Sequence, residues 1–265
     1  MRHNRVAAKT HRATAAAIVA ARAMRVAVIT DVHANRQALD AVLAAVDAEG
    51  VDAVWCLGDI VGYGPRPNEC CELVRGRADV CLAGNHDLVA LGELTVSDFN
   101  EEAAAAALWT NEVLAGESES FLRALSPQGE AAGAELFHAS ARDPVWEYVL
   151  TEEAARSTLD LTTAPLVLVG HSHVALALTP EGDDKVAGGL APAGTEIPLD
   201  RRWLLNPGSV GQPRDGDPRA AWLLVDAEQR FASFRRVAYP IEQTQTEMRA
   251  AGLPPALADR LERGE

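Results

Sequence analysis

The stretch Arg25-Val-Ala-Val-Ile-Thr-Asp-Val-His-Ala-Asn-Arg-Gln-Ala-Leu-Asp-Ala-Val-Leu-Ala-Ala-Val-Asp-Ala-Glu49 changes its hydrophobic period partway along. Residues 25–30 form an apolar, β-branched run of strand length. From about Asn35 the apolar side chains recur at helical spacing, with Ala38, Leu39, Val42, Leu43 and Val46 on one stripe. The alternation continues with a predicted strand over 53–57, a short helix over 67–75 and a strand over 79–83. Ser97 or Asp98 is placed to cap an Ala-rich helix that reaches about Ala115, and its alanines at 103–107 favour helix and close packing. Beyond it the chain turns β-rich. Strands are predicted over 135–137, 166–169, 174–178, 203–205, 221–226 and 231–238, the last two joined by the hairpin loop Asp226-Ala-Glu-Gln229. Residues 180–200, rich in Gly, Pro and Asp, read as a long connection with room for one short strand, and helices over 241–251 and 254–263 close the chain. No repeat, heptad or composition break marks a second domain, so residues 24–265 read as a single α/β domain with mixed sheets.

The composition sets limits on function. Of 265 residues 48% are apolar, enough for a substantial core. There are 38 acidic and 24 basic side chains, a net charge of −14. Residues 1–23 hold Arg2, Arg5, Lys9, Arg12 and Arg22 and no acid, which leaves −19 on the rest. Such a body disfavours non-specific binding to nucleic acid or to an anionic membrane, so an anionic substrate must be drawn by something local. The four cysteines, Cys56, Cys70, Cys71 and Cys81, form no C-x-x-C pair and read as buried thiols in a reducing compartment, the cytoplasm. No run of 18 apolar residues exists, so no membrane span is expected. Residues 1–23, with a short apolar run lacking leucine, read as a disordered extension or a misassigned start rather than as a secretory or transit segment.

The chemistry gathers where the histidines are. Five of the seven, His33, His86, His138, His171 and His173, each follow a predicted strand by a few residues. Ligands of open α/β sheets bind outside the carboxyl ends of the strands, so these loops converge on one crevice. The set reads Asp31-Val-His33, Gly58-Asp59, Gly84-Asn-His-Asp87, Phe137-His138 and Gly170-His-Ser-His173. A D-x-H tripeptide alone is weak, but G-N-H-D is expected by chance on the order of once in a thousand such sequences, and the ordered combination is specific. Imidazole, carboxylate and an amide oxygen, without thiolate, suit borderline or hard divalent ions. Asp31, His33, Asp59, Asn85, His138, His171 and His173 make seven ligands, too many for one tetrahedral site and suited to two metal ions that share a carboxylate. Gly58, Gly84 and Gly170, just before Asp59, Asn85 and His171, are expected to let the backbone turn sharply as each strand ends.

On these motifs the chain resembles the calcineurin-like metallophosphoesterases, in particular their small prokaryotic phosphodiesterase-type members, over residues 24–237. Two further stretches are similar to that subgroup: Leu57-Gly-Asp-Ile-Val-Gly-Tyr-Gly-Pro-Arg-Pro-Asn68 and Asn206-Pro-Gly-Ser-Val-Gly-Gln-Pro-Arg214. The resemblance implies a four-layer αββα sandwich, two mixed β-sheets flanked by helices, with a dinuclear metal site at the strand ends. It implies that Asp31, His33 and His173 bind a first metal, that Asp59 bridges, and that Asn85, His138 and His171 complete the second. His86 would hold the phosphate and protonate or stabilise the leaving oxygen, with Asp87 orienting it and fixing its tautomer. The implied reaction is in-line attack of a metal-bridging hydroxide on a small phosphoester, phosphodiesters before monoesters, with no covalent intermediate. Mn²⁺ is the first expectation, with Fe²⁺, Zn²⁺, Ni²⁺ or Co²⁺ as alternatives. Protein Ser/Thr phosphatases and dinucleoside polyphosphate hydrolases share the motif order and stay open as substrate classes. A non-catalytic metal-binding scaffold should have lost His86 or a ligand, and this chain has lost none.

Outside the motifs, Arg142 and Arg214 are candidates for a substrate phosphate, each as readily a surface turn. Asn35 reads as a helix cap, Asn206-Pro-Gly-Ser209 as a structural turn near the site, and Tyr63 as packing at the pocket. Trp146 and Tyr148 read either as a lip over the cleft or as packing against the next helix. Two divalent ions would bring +4, of which Asp31 and Asp59 offset half, so the site is expected to be positive within a negative body. Small phosphoesters, rather than long nucleic acid, are the expected partners.

Overall fold

Period-two alternation decides the layering. In β1 (Arg25–Ile29) Val26 and Val28 point one way and Ala27 and Ile29 the other, and all four are buried, so both faces of this strand are covered. The computed structural model describes residues 24–182 and 185–265. The predicted extension at 1–23 lies outside the described residues.

One sheet runs β3 (Val80–Cys81), β2 (Ala53–Cys56), β1, β11 (Ala220–Asp226), β12 (Phe231–Val237) and β9 (Glu196–Pro198). The other runs β4 (Gln128–Ala131), β5 (Ala134–Phe137), β6 (Leu166–Leu168), β10 (Trp203–Pro207), β7 (Ala175–Glu181) and β8 (Lys185–Leu190). Both are mixed: β1, β2 and β3 are mutually parallel, as are β5, β6 and β10, while β11 and β7 pair antiparallel to their neighbours. Val26, Val28, Trp55, Leu223 and Phe234 of the first sheet pack against Leu136, Leu168, Ala177 and Leu205 of the second. The outer face of the first sheet, with Ala27, Ile29, Cys56 and Leu224, carries α1 (Arg36–Glu49) and α2 (Pro67–Arg77). The outer face of the second, with Phe137, Val167 and Leu204, carries α6 (Glu152–Leu161) through Ala155 and Leu159. The result is the αββα sandwich. Between these, α3 (Asn85–Ala90), α4 (Glu101–Val113) and α5 (Gly116–Arg123) follow β3, and α4 packs against α7 (Ile241–Ala250) and α8 (Pro255–Asp259).

Several expectations change. The 180–200 connection is mostly sheet: β7 continues to Glu181, pairs with β8, and β9 then joins the other sheet. Gly188, read as loop material, sits where a Cβ would lie 2.0 Å from the Ala177 carbonyl oxygen, so glycine there permits strand pairing. Asn100, rather than Ser97 or Asp98, caps α4 by accepting from the Ala103 N–H at 2.8 Å, because residues 96–98 are themselves a 3₁₀ turn. β4 escaped prediction because an edge strand reading Gln-Gly-Glu-Ala has no apolar face. The hairpin after β11 forms as expected, with the Gln229 N–H donating to Asp226 Oδ1 at 2.7 Å. All four cysteines are free, three buried and Cys81 half-buried. Among the described residues no helix is long and apolar enough to cross a membrane.

Candidate metal centre

The parallel strands end on one edge of the sandwich, and backbone hydrogen bonds tie their loops together. The Asp31 N–H donates to the Gly58 carbonyl at 3.0 Å, His33 N–H to the Asp59 carbonyl at 2.9 Å, and Gly170 N–H to the His138 carbonyl at 2.8 Å. The Asn206 amide donates to the Gly170 carbonyl (2.7 Å) and to Ser172 Oγ (3.0 Å), and the Ser209 hydroxyl donates to the Asp31 carbonyl (2.8 Å). The Asn206-Pro-Gly-Ser turn is thus the buttress between two of the loops. Asn35 caps α1, accepting from the Ala38 N–H, while its amide reaches the Gly211 carbonyl.

Gly58 turns as expected, with a φ of +100°, and further sharp turning falls on the candidate ligands themselves. Asp31, His33, Asp59, His171 and His173 all take the left-handed conformation, with φ between 50° and 63°. Non-glycine residues there store on the order of 1 kcal/mol or more each, strain that persists at functional sites held by their surroundings. Gly84 turns out to serve a different purpose. Its φ is −105°, and a Cβ on it would fall 2.0 Å from Asp59 Oδ1 and 2.5 Å from the Asp59 backbone nitrogen. Only glycine lets the third loop approach the Asp59 carboxylate.

The imidazoles are oriented by backbone carbonyls, which accept and never donate. His33 Nδ1 faces the Val61 carbonyl at 3.2 Å, His138 Nδ1 the Leu57 carbonyl at 2.9 Å, His173 Nδ1 the Gln212 carbonyl at 2.6 Å, and His171 Nε2 the Trp146 carbonyl at 3.1 Å. In a neutral imidazole the single N–H therefore points at the carbonyl, and the other nitrogen turns a lone pair inward. Two inward contacts then join acceptor to acceptor: His33 Nε2 to His173 Nε2 at 2.9 Å, and His138 Nε2 to Asn85 Oδ1 at 3.1 Å. The carboxylates match. Asp31 Oδ2 accepts from Thr30 Oγ1 and the His171 N–H, and Asp59 Oδ1 accepts from the His86 N–H, while buried Asp31 Oδ1 and Asp59 Oδ2 have no hydrogen-bond partner. Asp31 Oδ1 lies 3.4 Å from His173 Nε2, and Asp59 Oδ2 lies 3.6 Å from both His33 Nε2 and His138 Nε2.

Two groups of metal-competent atoms result, Asp31, His33, Asp59 and His173 in one and Asp59, His138 and His171 in the other, with Asp59 common to both. Asn85 Oδ1 faces the second. Electrostatics agree with this donor set. Burial pushes the Asp31 carboxyl up to about 7 and Asp59 well above the usual carboxylate range, Asp87's charge adding to the latter. Burial also pushes His33, His171 and His173 well below the ordinary imidazole value, so a proton between the facing nitrogens is disfavoured. Neutral imidazoles and carboxylates starved of positive charge are what divalent cations require, and the residues fit such ions.

His86 stands apart from both groups. Its ring stacks on Phe99 at 4.4 Å, lies 4.3 Å from the Tyr63 ring, and leaves Nδ1 buried without a partner. Burial, then the Arg214 charge, lowers its pKa. Asp87 does not orient it. The Asp87 carboxylate accepts from the backbone N–H groups of Ile60 (2.9 Å), Val61 (3.0 Å) and Gly84 (2.9 Å), and no hydrogen bond joins it to His86. Position i+1 on a helical turn faces away from its neighbour, so Asp87 binds the second and third loops together instead.

The site opens into a cavity of about 410 Å³ lined in part by Tyr63, His86, Phe99, Trp146, Arg214 and Arg260. Tyr148 lies flat on His171, centroids 4.1 Å apart, and Trp146 meets Phe99 edge-on at 5.6 Å, which favours the lip over packing on the helix. Arg214 borders the cavity, its guanidinium 5.7 Å above the Tyr63 ring and its Nη2 bonded to the Tyr63 hydroxyl (3.3 Å) and Gln212 Oε1 (2.9 Å). Arg142 does not: its guanidinium is engaged by Glu147 and Glu153 on the surface. Sequence reading missed Phe99 and Arg260, which follow a 3₁₀ turn and open the last one; neither carries a motif.

Comparison with known proteins agrees with this geometry. The family model of the calcineurin-like phosphoesterase superfamily domain matches residues 24–230, and the chain belongs to that superfamily. It is similar to the metallophosphoesterase of Sphaerobacter thermophilus, at 42% identity over 92% of this chain and all of that one, with a TM-score of 0.83. It is also 36% identical to the uncharacterized protein MJ0912 of Methanocaldococcus jannaschii, over 89% of this chain and 96% of that protein. The hypothetical protein PH1004 of Pyrococcus horikoshii OT3 shares the fold, with 20% identity, a TM-score of 0.73, and coverage of 91% of this chain and 98% of that one.

Proposed function

We propose that this protein hydrolyses small phosphoesters, phosphodiesters in preference to monoesters, with two divalent ions held by Asp31, His33, Asp59, Asn85, His138, His171 and His173. The observation that carries it is the pair of buried acceptor-to-acceptor contacts beside two unpartnered carboxylate oxygens, an arrangement that divalent cations would stabilise. Two such ions, when bound, supply Lewis acidity at the phosphoryl oxygens and a water of lowered pKa. Mn²⁺ is the proposed metal, since carboxylate, amide and imidazole donors without thiolate suit it.

The chain's own residues supply the rest. His86, outside both ligand groups but bordering the cavity, holds a phosphoryl oxygen and, as the imidazolium, hands its proton to the leaving oxygen. Arg214 adds a fixed positive charge at the mouth. The lip of Phe99, Trp146 and Tyr148 narrows access and favours small substrates over long strands. Four free cysteines are consistent with a reducing compartment such as the cytoplasm. Hydrolysis of bis(p-nitrophenyl) phosphate, measured with and without Mn²⁺, tests the reading. Metal-dependent turnover is expected, and absence of turnover with Mn²⁺, Fe²⁺, Zn²⁺, Ni²⁺ and Co²⁺ alike would overturn it.

A further inference from the structure

Two arginines at the mouth of the cavity share one neutral acceptor. Arg214 Nη2 lies 2.9 Å from Gln212 Oε1 and Arg260 Nη1 lies 3.3 Å from the same oxygen. Among the described residues no carboxylate lies within ion-pairing distance of either guanidinium, although acids outnumber bases 38 to 24 in this chain and Asp98 lines the same cavity. Arg214 also keeps a buried Nε without a hydrogen-bond partner. Burial, then the neighbouring Arg214 charge, lowers the pKa of Arg260, and the charge of Glu102 offsets only part of this. The approach is built into the fold: the Gly216 N–H donates to the Gly264 carbonyl at 3.0 Å, which pins the C-terminal turn bearing Arg260 against the loop bearing Arg214. Arg260 lies beyond residues 24–230, the part matched by the family model.

We infer that Arg214 and Arg260 form a second anion subsite beside the metal centre, and that the preferred substrate carries a further phosphate group besides the one attacked. Two fixed positive charges match a terminal phosphate, which bears about −1.5 to −2 near neutral pH, better than a single carboxylate. The inference rests on the phosphoesterase reading above. Two chromogenic diesters with the same leaving group separate the two claims: thymidine 5′-(p-nitrophenyl phosphate) and its 3′-phosphorylated counterpart, assayed with Mn²⁺. Wild type is expected to favour the 3′-phosphorylated ester by about tenfold or more in kcat/KM, carried mainly by KM. The ratio should fall to near one in Arg260→Gln and to an intermediate value in Arg260→Lys. A ratio near one in wild type, or a ratio unchanged in Arg260→Gln, would overturn the subsite while leaving the phosphoesterase intact. Turnover of neither ester would overturn the phosphoesterase reading itself.

Discussion

Gly84→Ala perturbs the centre without replacing a ligand. The new methyl carbon would lie 2.0 Å from Asp59 Oδ1, 2.5 Å from the Asp59 nitrogen and 2.6 Å from its Cγ. Carbon and oxygen need well over 3 Å, so the two loops must separate by more than about 1 Å. That movement strains or breaks the 2.8 Å hydrogen bond from the His86 N–H that fixes the Asp59 carboxylate. Overpacking costs about 1–3 kcal/mol and a lost buried hydrogen bond about 1–3 more, which lowers Tm by roughly 5–15 °C for a domain of this size. The shift also moves the one carboxylate common to both ligand groups, and a 1 Å displacement of such a group costs about a hundredfold in rate. The assay pairs Mn²⁺-dependent diester hydrolysis with differential scanning calorimetry at increasing Mn²⁺. Wild type should gain about 2.7 kcal/mol for each ion bound at a hundredfold excess over its Kd, and the variant should lose most of that gain. Gly116→Ala, whose Cβ would meet nothing within 4 Å, is the control and should behave as wild type. A Gly84→Ala protein with full Mn²⁺ stabilisation and activity within about threefold of wild type would refute the argument.

Asp59→Asn removes the shared charge and should abolish metal-dependent stabilisation in calorimetry; retention of two bound Mn²⁺ by elemental analysis would count against a bridging role. His86→Ala should lose about 10²–10⁴ in kcat with the Mn²⁺-induced Tm rise unchanged, since His86 belongs to neither ligand group, and a lost Tm rise would make it a ligand. Asp87→Ala orphans three backbone N–H groups and should cost about 3 kcal/mol or more in urea unfolding; a variant with wild-type stability and only an altered pH–rate profile would restore Asp87 as the orienting partner of His86. Asp31, held near 7 by burial, keeps its proton in the folded metal-free protein where the unfolded chain has lost it. The Asp31 contribution to metal-free stability should therefore fall as pH rises from about 4 to 7. His33, His86, His171 and His173, which burial keeps neutral where the unfolded chain protonates them, contribute in the opposite direction. Mn²⁺ affinity should rise up to about tenfold per unit over the same window as the Asp31 proton is displaced. Equal Mn²⁺-induced Tm shifts at pH 6 and pH 8 would refute that linkage.

The strand-then-helix reading of residues 25–49 and the placement of five histidine-bearing loops held because they rest on local information. Hydrophobic period reports which face is buried, and parallel strands with helical crossovers must end on the same edge. At three of the positions where the reading failed, the deciding contact came from a neighbouring strand or loop. Gly188 looks like a loop residue until Ala177 of the neighbouring strand is beside it, and Gly84 looks like a turn until Asp59 approaches. Asp87 looks like a partner for His86 only while the three amides that claim it are unknown.

By itself the sequence determined the class of chemistry: which side chains meet, and that they are oxygen and nitrogen donors suited to divalent ions. It determined this because donor type is covalent and the order of strand ends follows from period and connectivity. The tertiary structure alone decided which nitrogen of each histidine faces inward, which carboxylate oxygen is free, that Arg142 is tied to Glu147 and Glu153, and that Arg260 stands beside Arg214. Those are properties of distance, set by loops that meet only when both sheets are packed, and no local pattern in the chain records them.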